Sequence, residues 1–340
     1  EPEHAVLEIV KALPYEEIDG IAYKKNNVLL INRPREPIED LDQLPFPAYH
    51  LLPMDKYYDH IIFDDRHPFS LMVSSRGCPF KCTFCLKKMW GDKYRVRSNE
   101  KVIEEIELLQ SNYGVKAVYF QDLEFCVHKK RVEDFCNKLM EKNIKLAWAC
   151  SARLHDIDEK LGKLMKEAGC VRIIFGLESG SQKILDNVKK GINLKIASQT
   201  IKTMNKIGMR ALICFQMGLP GETRETLKET VRFAVKNNIE FWGGGFPIYY
   251  PGTELWDGKL TWEEAGKMAG RFDTDILKKF TEAQLYRYVR LLYIKEKYSK
   301  FFFLNPSFYI DLLQRLKKHY SLKRKLHNRP LKVRAFSTKQ

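Results

Sequence analysis

Several features are scarce or missing in these 340 residues. No run reaches the ~20 apolar residues that cross a bilayer as a helix; the nearest, 301–313, is broken by Asn305, Pro306 and Asp311. No basic-then-apolar leader opens the chain, and eight cysteines are too thinly spread for a secreted disulfide framework. The expected compartment is reducing and cytoplasmic. Cysteine is absent before Cys78 and after Cys214, and the G-L-P-G-E-T run at 218–223 lacks the Lys-Ser/Thr of a P-loop. Low-complexity stretches and internal repeats are also absent.

The composition, 44% hydrophobic and 30% charged, suits a globular chain with one large core and an appendage. Its net charge of +15 is uneven: from Lys295 onward 13 Lys and Arg face only Glu296 and Asp311, a local +11. That tail is a candidate surface for anionic lipid headgroups, which would make the protein peripheral to a membrane, or for nucleic acid. A merely solvated basic tail fits equally.

The most informative stretch reads S-S-R-G-C-P-F-K-C-T-F-C, from Ser74 to Cys85. Cys78, Cys82 and Cys85 stand in a C-x3-C-x2-C pattern, and Gly77 and Pro79 bend the backbone into a loop on which three sulfurs can converge. Three thiolates are one short of a structural zinc or a fully ligated iron–sulfur cluster, and no His or Cys between Leu86 and Lys101 supplies a fourth. A [4Fe–4S] cluster held by three cysteines keeps one iron open for a ligand. Zinc with a distant fourth ligand, or three unconnected core thiols, are the competing readings.

With Phe84 just before its last cysteine, this loop resembles the signature of the radical S-adenosylmethionine (SAM) superfamily. The resemblance implies that the open iron chelates SAM and that one electron cleaves it to methionine and a 5′-deoxyadenosyl radical. It also implies an electron donor such as flavodoxin or ferredoxin.

From Ser70 onward strand-like and helix-like segments alternate. Apolar runs at 71–74, 117–121, 146–150, 171–177, 209–217 and 241–248 are separated by helical periodicity at 99–112, 129–142, 156–168, 194–207 and 222–237. Six such units predict an α/β fold, a partial (β/α)6 barrel by the resemblance; a doubly wound sheet is the alternative from pattern alone. In either case the site lies where strands end. Asp122 and Glu124 follow the second strand, Arg153 the third, and Glu178 and Ser179, in a G-L-E-S run, the fourth. By the resemblance these residues contact SAM, with Asp122 or Glu124 holding its amine in place of the usual G-G-E motif. A helix cap at Asp122 or Glu124 and a surface ion pair at Arg153 are the plain readings. Cys126, Cys136, Cys150, Cys170 and Cys214 follow no ligand spacing and read as core thiols.

Residues 1–66 read as the remnant of an N-terminal domain: a helix at 5–13, a hairpin across Lys25-Asn26-Asn27, and a proline-rich linker, L-D-Q-L-P-F-P-A at 41–48. This opening, and P-G-T at 251–253, are similar to the cobalamin-dependent branch of the superfamily, whose Rossmann-like cobalamin domain precedes the barrel. The D-x-H-x-x-G cobalamin motif found in many members is missing. The expected organisation is therefore a remnant and linker at 1–66, a barrel at 67–255, and a basic helical extension at 256–340. The expected activity is cobalamin-dependent methylation, rearrangement or cyclisation of a small or lipid-like substrate. A cobalamin-free radical enzyme acting on RNA or peptide, and a non-enzymatic basic binding module, remain alternatives.

Overall fold

The computed structural model describes residues 1–59, 62–239, 245–248, 250–256, 276 and 281–298. The N-terminal segment forms α1 (Glu3–Val10) and an antiparallel hairpin of β1 (Ala22–Lys25) and β2 (Val28–Ile31). Asn26 and Asn27, both at positive φ, make its two-residue turn, the backbone that matches the twist of paired strands. This segment builds no core of its own: Tyr49 and Met54 are buried in the main cluster of the barrel. Asp42 in the proline-rich linker accepts the Ser98 N–H at 2.9 Å, which ties the linker to the barrel surface.

The barrel sheet contains β3 (Phe69–Met72), then after the short antiparallel pair β4 (Ser75–Arg76) and β5 (Arg95–Val96), β6 (Ala117–Phe120), β7 (Ala147–Ala152), β8 (Cys170–Glu178) and β9 (Ala211–Phe215). Its spatial order, β3-β6-β7-β8-β9, follows the chain, and every pairing is parallel. A doubly wound sheet would reverse direction at a switch point; the unbroken progression is that of a partial barrel. Half of the sixth predicted strand, 241–244, lies outside the described residues; in the other half, 245–248, Gly245 bridges Gln216 in parallel beyond β9.

The helices between strands are α2 (Asn99–Tyr113), α3 (Lys129–Glu141), α4 (Glu159–Glu167), α5 (Gln182–Asn187), α6 (Leu194–Lys206) and α7 (Arg224–Lys236). Their ends follow local chemistry. Ser98, Asp158, Asn193 and Thr223 cap N-termini through their side chains, and Gly114 closes α2 at φ +62°. Between sheet and helices lies one core. Its densest part is an aromatic group of Phe120, Phe125, Phe135 and Trp148, with ring centroids 4.8–6.0 Å apart. That group holds the loop after β6, and hence Glu124, against the sheet.

The helix expected at 283–297 is α8 (Glu282–Tyr298), which packs on α7 with Leu285, Val289 and Tyr293 buried; the Tyr293 hydroxyl donates to the Ile239 carbonyl at 2.9 Å. The second predicted helix, 306–319, and the aromatic and basic tail lie outside the described residues. Among the described residues no helix is long and apolar enough to cross a membrane. One thiol differs from expectation: Cys214 is exposed, because Ile213 and Phe215 face the core and strand alternation turns Cys214 the other way.

Candidate active site

The three cysteines lie in a loop whose neck is the β4–β5 pair, Ser75 opposite Val96 and Arg76 opposite Arg95. Gly77 starts it at φ +83°, and a Cβ there would stand 2.0 Å from the Lys93 carbonyl oxygen, so no larger residue fits. The Cys78 N–H donates to the Gly91 carbonyl at 3.2 Å, closing the loop, and the Cys85 N–H donates to the Cys82 carbonyl at 3.2 Å, turning it tightly between the last two sulfurs.

All three thiols are free and partly exposed. Cys82 and Cys85 border a cavity of about 540 Å³ with Lys81, Lys87, Asp92 and Thr253. Burial first, then the other cysteine sulfurs nearby, push the Cys85 thiol above its ordinary range; burial, Glu124 and Cys82 do the same for Cys78. Three thiols on one loop supply the sulfur donors that a cluster takes, one to each of three irons, so the donor set fits three corners of a [4Fe–4S] cluster, with the cavity beside Cys82 and Cys85.

Cations surround the loop. Arg153 stacks on Phe80 with its guanidinium 3.8 Å from the ring centroid, places Nη1 3.9 Å from the Cys82 sulfur, and donates from Nη2 to the Lys190 and Gly191 carbonyls. Lys190, buried, donates to Glu178 Oε1 at 2.8 Å and lies 5.8 Å from the ring centroid of Phe84. Burial disfavours the Lys190 charge, but Glu178 and then Cys82 outweigh it and hold its pKa above the usual lysine range. Gln216 donates to the other Glu178 oxygen at 2.9 Å, so the buried carboxylate is fully paired. Neither Lys190 nor Gln216 was singled out from the sequence. A Glu after a hydrophobic strand demands a buried partner, but nothing in the sequence says which lysine folds back to it.

The predicted carboxylates divide. Asp122 has both oxygens occupied, by the Ser74 N–H at 2.7 Å and the Ser75 hydroxyl at 2.6 Å among others, and it ties the end of β6 to the base of the cysteine loop. Glu124 accepts the Cys126 N–H at 3.2 Å; burial foremost, then the nearby Asp156 carboxylate, push it up to about 8. Ser179 turns away from the loop: its hydroxyl is 3.1 Å from that of Thr230 on α7 and accepts the Ser181 N–H. Phe84 packs with Ile184, Val188 and Leu219, under the loop.

The profile of the Radical SAM superfamily matches residues 72–234, from the last residue of β3 into the final turn of α7. The chain belongs to the radical SAM superfamily. It is 37% identical over 294 residues to an uncharacterized methyltransferase of Pyrococcus horikoshii, covering 85% of this chain and 62% of that protein. It is 33% identical over 260 residues to the anaerobic magnesium-protoporphyrin IX monomethyl ester cyclase of Rubrivivax gelatinosus, covering 75% of this chain and 45% of the cyclase. A solved structure of the cobalamin-dependent SAM radical enzyme OxsB, with aqua-cobalamin and SAM bound, shares the fold at a TM-score of 0.58 and 20% identity, over 88% of this chain and 44% of that one. The chain thus spans about half the length of such relatives.

Proposed function

We propose that this protein is a radical SAM enzyme of the cobalamin-dependent kind, methylating or cyclising an organic substrate. The observation that carries this reading is the arrangement of Cys78, Cys82 and Cys85: partly exposed, on a strand-end loop, beside a cavity and flanked by Arg153 and Lys190. A [4Fe–4S] cluster held there supplies one-electron cleavage of SAM.

The chain's own residues have three tasks. Arg153 and Lys190 place positive charge beside the Cys82 sulfur, which suits both an anionic cluster and the SAM carboxylate. Glu124, beside Cys78, is a carboxyl able to accept the SAM ammonium group, and an arriving cation would draw off its proton. Phe84 and its apolar neighbours keep water from the underside of the loop. Asp122 and Ser179 are assigned to scaffolding, because their side chains are already bonded elsewhere.

The cobalamin part of the proposal rests on the relatives and on α1 with its hairpin. Val6, Leu7 and Val10 on α1 and, on one face of β2, Leu29 and Ile31 are 49–77% exposed, more apolar surface than isolated residues would give. These exposed side chains would seat a cobalamin-carrying unit, whether of the same chain or a separate one. The test is anaerobic reconstitution with iron and sulfide, then electron paramagnetic resonance of the reduced protein. A [4Fe–4S]+ signal that changes on adding SAM supports the reading; zinc, or no metal at all, ends it.

A further inference from the structure

The neck of the cysteine loop has an electrostatic conflict built into it. Arg76 and Arg95 are directly opposite each other in the β4–β5 pair, and like charges in that relation repel. The pair is also poorly solvated: the Arg95 side chain is 3% exposed and that of Arg76 13%. Neutralisation comes from α1 and the residues before it. Glu1 accepts from both Arg95 Nη1, at 3.0 Å, and Nη2, and has an oxygen 3.6 Å from Arg76 Nη1. Glu3 accepts from Arg76 Nη2. Burial by itself would raise both carboxyls, yet the hydrogen bonds and charges of Arg95 and Arg76 hold them below their ordinary range.

The same two arginines grip the loop they frame. Arg95 donates to the Trp90 carbonyl at 2.8 Å and to the Ile38 carbonyl, while Arg76 lies 4.9 Å over the Trp90 ring. Trp90 adjoins Gly91, whose carbonyl accepts the Cys78 N–H. A continuous set of contacts therefore runs from α1 through two arginines to the first cysteine. Val6, Leu7 and Val10 follow Glu3 at helical spacings of three, four and seven and are exposed, an apolar stripe that runs along α1 from the end carrying Glu3.

We propose that Glu1 and Glu3 are positioning residues for the iron–sulfur loop, so that the seating of α1 sets the geometry of Cys78 and its neighbours. This rests on the reading of the loop as a cluster site. It goes beyond that reading in giving the N-terminal segment a role in the barrel's chemistry. Outer partners of metal ligands commonly affect metal retention about 10- to 100-fold.

The experiment uses the full chain, reconstituted anaerobically. Iron release to a chelator is timed, and hydrogen exchange over 77–94 is followed in parallel. Glu1→Gln/Glu3→Gln removes the charges and keeps the shape; Glu8→Gln breaks the Arg35 pair of the same helix, away from the neck, as control. The expected result is iron release about tenfold faster and faster exchange in the loop for the double variant, with Glu8→Gln like wild type. Exchanging the charges, Glu3→Arg with Arg76→Glu, should recover most of the retention lost by Glu3→Arg alone, and it serves as the test should the double variant not fold. Unchanged release, or equal acceleration in Glu8→Gln, overturns the inference. If wild-type protein takes up no cluster, the functional reading itself fails instead.

Discussion

Lys190 offers the sharpest test of how the site is held together. Its ammonium is 2.8 Å from Glu178, and both side chains are about 10% exposed. Lys190→Met removes the charge and leaves Glu178 with only Gln216 as a side-chain partner. Breaking a buried pair from one side costs ~3–5 kcal/mol, because the remaining charge is stranded away from water. Glu178→Gln strands the lysine in the same way. The double variant strands neither, and its loss should fall short of the sum of the singles by ~2 kcal/mol or more. Guanidinium unfolding of all four proteins measures the cycle. A coupling of ~0.5 kcal/mol or less, the range of exposed pairs, would refute the view of Glu178 and Lys190 as one buried unit.

Other outcomes follow from single contacts. Gly77→Ala places a methyl 2.0 Å from the Lys93 oxygen at φ +83°, so bound iron per chain after reconstitution should fall sharply, as for Cys82→Ala. Glu124→Gln should weaken SAM binding about tenfold by calorimetry through loss of a charge-assisted contact, whereas Ser179→Ala, facing α7, should leave it within about twofold. Glu222, buried, is pushed up to about 8 by desolvation, against the pull of the Gly218 N–H. Its native pKa exceeds the unfolded value, so its contribution to stability is full below about pH 4.5 and declines as pH rises to about 8. Glu222→Gln should flatten that slope and be more stable than wild type by up to several kcal/mol at pH 9, as read from denaturation at pH 5, 7 and 9.

Strands and helices were legible because each carries a run long enough to show its period. The predicted strands 117–121 and 171–177 overlap β6 and β8 to within a residue at each end, and strand order then followed from the alternation. What escaped is short or reciprocal. α5 has six residues, too few for a helical period, so the return of the chain that brings Lys190 to Glu178 went unseen. β4 and β5 are two residues each, and their facing arginines are 19 positions apart in sequence with nothing to mark them as neighbours. The cysteine spacing needed no such context, since three ligands within eight residues constrain one another locally.

The end of β8 shows why neighbouring residues in the G-L-E-S run take opposite roles. Simple alternation would send Leu177 and Ser179 to one face and Gly176 and Glu178 to the other. The register against β9 shifts between Gly176 and Glu178, and Glu178 adopts φ +71°, a region that a non-glycine residue enters at a cost of ~1 kcal/mol or more. This bulge turns the strand as it ends. Glu178 lies between Lys190 and Gln216, while Ser179 crosses to Thr230 and Gly180 packs so tightly that a Cβ would meet the Thr230 Cα at 2.6 Å. Strain of this kind persists only where surrounding contacts enforce it, and here they are the buried ion pair on one side and α7 on the other. Glu178→Gly would relieve the backbone and lose the pair. If the pair dominates, as its burial argues, that variant is less stable than wild type even though its φ is the easier one. A gain in stability would mean that the strain at Glu178, and not its pairing with Lys190, is the larger quantity.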